Sequence, residues 1–167
     1  MSTPKYSIAV LGNSHDRKSF HSGSEPLDDY FATKVTQDIR RSLTKCFVAV
    51  DELDRIAGFY TLSASHIVLS DLPPEMSRKL PKIPIPVARV GRLAVDKEYQ
   101  GQGLGGALLF DAIMRATQAD VGVYAVIVDA KDRQAADFYE HFGFIPFPKS
   151  PLTLFFPTRQ MSSIYSR

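Results

Sequence analysis

Between an apolar strand pattern, Val87 to Val95, and an apolar helix pattern that begins at Leu104, the chain passes through Gln100-Gly-Gln-Gly-Leu-Gly-Gly106. No other segment narrows the choice of fold as far. Glycines at this density let backbone N–H groups approach an anion closely, and the helix that follows aims its unpaired amides and positive dipole end at the same point. The pattern points to a strand-turn-helix unit that holds a phosphate, and the question becomes which phosphate compound.

Several readings compete. Gly101, Gly103 and Gly106 satisfy G-x-G-x-x-G, and Asp129 follows at the end of the next strand pattern, as a dinucleotide site requires for its ribose. Against this, Asp96-Lys-Glu-Tyr-Gln100 separates Val95 from the first glycine, whereas a dinucleotide fold places its glycine almost directly after the strand. Too little chain remains for a doubly wound sheet. A nucleoside triphosphate P-loop is excluded because no Lys-Ser or Lys-Thr follows the glycines. A turn with no ligand stays open on this motif alone.

At 167 residues and 44% hydrophobic content the chain suits one domain, 1–167, with 1–19 as an N-terminal extension and 158–167 as a flexible tail. The N-terminal apolar run is too short for a secretory signal and no stretch reaches a membrane span, so a cytoplasmic protein is expected. Cys46, within Cys46-Phe-Val-Ala-Val50, reads as a small core residue, and the four histidines show no ligand spacing, so no metal is expected. A net charge of +2 implies no nucleic-acid partner by itself. Distribution says more: from Glu75 to Asp96 the chain carries Arg78, Lys79, Lys82, Arg89 and Arg92 with no acid between, and Arg40, Arg41 and Lys45 form a second basic group. Ordinary solvated side chains account for such runs equally well; converging in space, they would suit a phosphate backbone.

A strand is expected over Tyr6 to Leu11, then a helix capped by Ser24-Glu-Pro26 that turns Leu27, Tyr30, Phe31 and Val35 to one face as far as about Arg41. Strands Cys46–Val50 and Ile56–Ala64 flank the polar turn 51–55. The prolines between 70 and 86 leave room for a short helix near 75–80. After the central strand 87–95 come a helix over 104–119, a buried strand over 121–128, a helix over 133–142 stopped by Gly143, and a strand over 152–156 that closes the sheet.

Gln100-x-x-Gly103-x-Gly105, with Arg92-Leu-Ala-Val95 on the strand before it, resembles the GCN5-related N-acetyltransferase family. Downstream, Asp132-Arg-Gln-Ala135-Ala-Asp-Phe138-Tyr139-Glu-His-Phe-Gly143-Phe144 is similar to that family's second signature, N-x-x-A-x-x-[LF]-Y-x-x-x-G-F, with Asp132 where Asn is usual. The resemblance implies a mixed α/β fold, a central mixed β-sheet flanked by helices, and acetyl-coenzyme A as co-substrate. It implies cofactor contacts from Leu93, Ala94 and Val95, whose backbone would bond the pantetheine arm, and from Gln100, Gly101, Gln102, Gly103, Leu104, Gly105 and Gly106 around the pyrophosphate. A backbone N–H near Leu93 would stabilise the oxyanion. Phe138 and Asp132 join that set, although Asp132 could equally cap the last helix. Tyr139 would be the catalytic acid for the departing thiolate, where a buried Tyr is otherwise more often core.

The attacking amine must be neutral, and Val87-Ala-Arg-Val-Gly-Arg-Leu-Ala-Val95 carries none of the acid that many lysine-modifying members place on this strand. A lysine amine, near about 10.4, needs a base; an α-amine near about 7.8 hardly does, and an adjacent ester lowers it further. Phe20-His-Ser22-Gly23-x-x-x-Leu27-Asp28-Asp-Tyr-Phe31, Thr44-Lys-Cys-Phe-Val48, Ile56-Ala-Gly58-Phe-Tyr60-Thr-Leu-Ser63 and Ile85-Pro86 through Asp96 resemble the acetyltransferase toxins of toxin-antitoxin pairs. That narrower resemblance implies acetylation of the α-amine of an amino acid esterified to tRNA, a block in translation, a ribbon-helix-helix antitoxin and a homodimer. Arg78, Lys79, Lys82, Arg89 and Arg92 are the tRNA-binding candidates, Arg92 by the match and the rest by charge. Two rivals stay open: a conventional acetyltransferase for a protein N-terminus or small amine, and a non-catalytic module that uses the fold as a platform.

Overall fold

The computed structural model describes residues 6–165, with side chains as far as Met161. Seven strands, β1 (Ser7–Val10), β2 (Lys45–Val50), β3 (Ile56–Ile67), β4 (Ile85–Val95), β5 (Ala125–Asp129), β6 (Ile145–Phe147) and β7 (Ser150–Pro157), bond in the order β1-β2-β3-β4-β5-β7-β6. β4 and β5 run parallel while β1–β2, β2–β3, β5–β7 and β6–β7 are antiparallel, so the sheet is mixed and the fold is α/β. The helices are α1 (Glu25–Asp29), α2 (Val35–Arg40), α3 (Pro74–Ser77), α4 (Leu104–Thr117), α5 (Arg133–His141) and α6 (Thr158–Tyr165). A parallel pair needs a long crossover, and α4 supplies it between β4 and β5. No helix of the described residues is long and apolar enough to cross a membrane.

Contacts gather the chain into two compact units, Met1–Ser63 with Gly91–Asp111, and Ala64–Val90 with Ala112–Arg167. In the first unit, Phe31 stacks on Phe59 at 4.1 Å and 7°, and Phe20 sets its edge against both. Such aromatic pairs add about 0.5–1.5 kcal/mol beyond area burial, enough to fasten a short helical segment to the sheet. The expected helix from Ser24 is interrupted there: a π-turn, Tyr30–Lys34, separates α1 from α2. The turn between β2 and β3 forms as expected, with Asp51 accepting from the amides of Leu53 and Arg55 at 2.9 Å each.

The second unit packs Ile67, Leu72, Ile85, Val87, Ala125, Ile127, Phe147 and Phe155 into its core. Here the structure corrects several expectations. The strand expected from 121 begins only at Ala125, because Val121 is 73% exposed and has no apolar surface to bury against. β6 went unforeseen, and its Pro146 is tolerated because β6 is the edge of the sheet, so β7 does not close it. The segment expected as a tail from Thr158 forms α6, tied down by the Thr158 hydroxyl, which donates to the carbonyls of Val123 at 2.6 Å and Tyr124 at 3.1 Å. Likewise the N-terminal extension contains β1, paired with β2 from Ser7 to Val10; residues 1–5 and 166–167 lie outside the described residues.

Candidate active site

In the first unit β4 ends at Val95 and a 3₁₀ turn, Lys97–Tyr99, leads into the glycine loop. Asp96 organises this entry: its carboxylate accepts from the amides of Glu98 at 3.0 Å and His21 at 2.9 Å. Gly101 and Gly103 adopt φ of +80° and +82°, a left-handed conformation that costs any other L-residue free energy. The first amide of α4 to close a helical bond is that of Ala107, onto the Gly103 carbonyl at 3.1 Å. The amides before it therefore have no intrahelical partner and, with the helix dipole behind them, form an anion cradle. Nothing lies within 4 Å of where a Cβ would stand on Gly101 or Gly103.

β4 changes character midway. Its pairing with β5 runs from Val87↔Ala125 to Val90↔Val128, and beyond that point the Arg92 amide donates to the Thr61 hydroxyl at 3.0 Å instead of a ladder carbonyl. Leu93 and Val95 are half-buried and Ala94 is buried, and because the β4–β5 ladder ends at Val90↔Val128 the backbone from Leu93 to Val95 carries no ladder bonds to β5.

In the second unit α5 starts at Asp132, whose carboxylate accepts from the Ala135 amide at 2.8 Å. This is an N-cap, worth about 1 kcal/mol, and of the two roles open to Asp132 in the sequence it is the one the geometry realises. Gly143, at φ +97°, ends the helix and turns Phe144 back so that its amide reaches the Tyr139 carbonyl at 3.2 Å. Tyr139 is half-buried, its ring 5.4 Å from Phe138 and 5.8 Å from Phe144. Burial, and then the negative charge of Asp129, push its phenol above the usual tyrosine value. Among the described residues no buried side-chain polar atom is left without a partner, so the Tyr139 hydroxyl, which bonds to none of them, reaches accessible space.

A family model for the acetyltransferase (GNAT) domain matches residues 42–146, which carry the glycine loop, the interrupted β4 and α5 together. The chain belongs to the GNAT acetyltransferase family. It is 38% identical over 146 residues to a tRNA-acetylating toxin of Mycobacterium tuberculosis, covering 86% of this chain and 87% of that protein. Among solved structures it is similar to the toxin AtaT complexed with acetyl-methionyl-tRNAfMet, with a TM-score of 0.89, 28% identity, and coverage of 96% of this chain and 99% of that one. It is also similar to a mutant AtaT bound to the C-terminus of the antitoxin AtaR and acetyl-CoA, with a TM-score of 0.82, 26% identity, and coverage of 98% and 100%.

The other GNAT site residues expected from sequence divide between the units. Leu93, Ala94, Val95, Gln100 to Gly106 and Arg92 lie in the first; Arg78, Lys79, Lys82, Arg89, Asp132, Phe138 and Tyr139 lie in the second. Gln100 is exposed, and its side-chain amide donates to the carbonyls of Ser22 and Val95 at 2.9 Å each. Phe138 is 38% exposed on α5. Of the basic candidates, Arg78, Lys79 and Lys82 are exposed, Arg92 lies over the Tyr30 ring at 3.6 Å, and Arg89 is ion-paired with Asp129, which also accepts from Thr153 at 3.1 Å. Arg89 and Thr153 line a cleft of about 330 Å³ together with His66, Asp71, Lys149 and Ser150. Sequence reasoning passed over His66 and Lys149. They sit on β3 and in the β6–β7 turn, and no motif joins them. Among the described residues no cluster of three or more His, Cys, Asp or Glu could hold a metal ion.

Proposed function

We propose that this chain is an acetyl-CoA-dependent N-acetyltransferase toxin that acetylates the α-amine of an amino acid carried on tRNA and so blocks translation. One observation carries the choice of acceptor: Asp129, the carboxylate whose negative charge acts on the Tyr139 phenol, is already engaged by Arg89 and Thr153. A carboxylate whose oxygens are already taken up by a guanidinium and a hydroxyl is not placed to accept the amine's proton, so the amine must arrive neutral. An aminoacyl ester, with an amine below the α-amine reference of about 7.8, meets that condition and a lysine at about 10.4 does not.

The residues then take these roles. The amides of 101 to 106 hold the pyrophosphate, and the free edge of Leu93 to Val95 holds the pantetheine arm. As the neutral amine attacks the thioester carbonyl, the N–C bond forms, the oxyanion is stabilised by a backbone N–H near Leu93, and the surplus amine proton leaves to water. The C–S bond then breaks, the Tyr139 hydroxyl gives its proton to the thiolate, and the phenolate recovers a proton from water; a phenol kept protonated by burial is suited to this. Lys149, with Arg89, Arg78, Lys79, Lys82 and Arg92, provides the positive charge for the acceptor end of the tRNA. The proposal includes residues 1–167 as one working acetyltransferase domain, a homodimer, a ribbon-helix-helix antitoxin and a cytoplasmic location.

Support comes from the similarity to the tRNA-acetylating toxin of Mycobacterium tuberculosis and to AtaT in complex with acetylated tRNA. The test is to incubate the purified protein with labelled acetyl-CoA and total charged tRNA, beside a Tyr139→Phe control, and identify acetylated aminoacyl esters by mass spectrometry. Tyr139-dependent label on one or a few aminoacyl-tRNAs is the expected result. Label only on proteins or free amines would overturn the acceptor while leaving the acetyltransferase chemistry in place.

A further inference from the structure

The glycine loop has little of its own to hold it in shape. Its two left-handed glycines, Gly101 and Gly103, have open space around them, and glycine loses more conformational freedom on ordering than any other residue. A ligand that had to order this loop would bind more weakly by that entropy. Gln102 stands between the two glycines, and its Oε1 accepts from the Tyr6 hydroxyl at 2.6 Å, across 96 positions of sequence. Tyr6 sets its ring edge-on to Tyr99, with centroids 5.9 Å apart and planes at 75°. The Tyr99 hydroxyl in turn donates to Asp51 Oδ2 at 2.6 Å. Asp51 is the organising residue of the β2–β3 turn, where it bonds two amides and pairs with Arg55. A line of contacts therefore runs from a rigid turn, through two tyrosines, to the middle of the loop.

We propose that Tyr6, backed by Tyr99 and Asp51, is a positioning residue for acetyl-CoA: its hydroxyl holds Gln102 so that the neighbouring amides face the pyrophosphate before it arrives. Gln102 then serves as the anchor of the loop through its side chain, and Tyr6, just before β1, belongs to the cofactor site without touching the cofactor. The backing is durable. Hydrogen bonding to Asp51 holds the Tyr99 phenol up at about 12, and the Tyr99 hydroxyl holds Asp51 down at about 2. The donor stays protonated and the acceptor ionised across the range in which an enzyme works. The proposal rests on the reading of residues 101 to 106 as the pyrophosphate site.

The experiment is a double-mutant cycle on the full chain, with Tyr6→Phe, Gln102→Leu and both together, read by calorimetric titration with acetyl-CoA. Tyr6→Phe keeps the ring against Tyr99 and removes only the hydroxyl. It should raise the acetyl-CoA Kd about three- to ten-fold, the span of one neutral hydrogen bond. Gln102→Leu should raise it as far, and the double variant no further than either alone. Turnover of Tyr6→Phe at saturating acetyl-CoA should stay at the wild-type level, with KM for acetyl-CoA raised and the melting temperature near wild type. An unchanged Kd for Tyr6→Phe, or losses that add in the double variant, would overturn the positioning role while leaving the loop assignment intact. A wild-type protein that bound no acetyl-CoA would overturn the loop assignment and the positioning role together. Failure to acetylate charged tRNA with acetyl-CoA binding and the cycle as expected would touch only the acceptor.

Discussion

The glycine loop of the first unit presents backbone amides, whereas the cleft of the second unit presents side chains set on β3, β4, β7 and the turn between β6 and β7. The loop is contiguous in sequence and its geometry depends on φ values that only glycine adopts cheaply. The cleft draws His66, Arg89, Lys149 and Thr153 from four separate places, and ordinary backbone conformations carry all of them. A backbone site reads a feature common to every reaction of the family, the diphosphate of the donor. A side-chain site can change its chemistry residue by residue without disturbing the fold, so under the proposed function acceptor choice is assigned to the cleft.

The largest effect that would break this division is at Tyr139. Tyr139→Phe should fold with an unchanged melting temperature and lose about a hundred-fold or more in turnover on charged tRNA, the contribution of a positioned general acid. Full activity in the variant would show that amides alone suffice and would remove the catalytic side chain from the second unit. Next comes Gly103→Ala. Holding alanine at φ +82° costs about 1–2 kcal/mol, so acetyl-CoA affinity measured by calorimetry should fall about five- to thirty-fold, with KM for charged tRNA unchanged.

The converse variant, Lys149→Glu, should raise KM for charged tRNA several-fold and flatten its salt dependence by about one phosphate contact, while acetyl-CoA binding stays as it was. Equal effects on both substrates would merge the two regions into one. Smallest is the pH response. A phenol whose folded pKa is raised stays protonated beyond its ordinary value of about 10, so kcat should show no fall from Tyr139 ionisation below about pH 10. The acid limb should follow the acceptor amine. A decline of kcat already complete at pH 9 would contradict the assignment.

The parts legible in the sequence are those with short-range causes. The glycine loop, the apolar stripe of α4, the cap at Asp132 and the stop at Gly143 all appear where residue type and spacing place them, within a residue or two. What escaped reading depends on distant partners. Val121 looks like a strand residue until it is seen to have nothing to pack on, and Pro146 is an unlikely strand residue until β6 is seen at an edge. Thr158 opens a helix because its hydroxyl finds two carbonyls of the 123–124 segment. Arg89 and Arg92 look alike as free cations, yet one is paired with a carboxylate and the other is stacked on a ring.

Local chemistry was enough for the glycine turn, the family and the place of Tyr139 on α5, because backbone conformation and helix termini obey rules that span only a few residues. Long-range packing was needed to reveal Asp129 held by Arg89 and Thr153, the cleft with Lys149, and Tyr6 on Gln102. Each of these joins residues tens of positions apart, and only the folding of the strands into one sheet order sets which side chains meet.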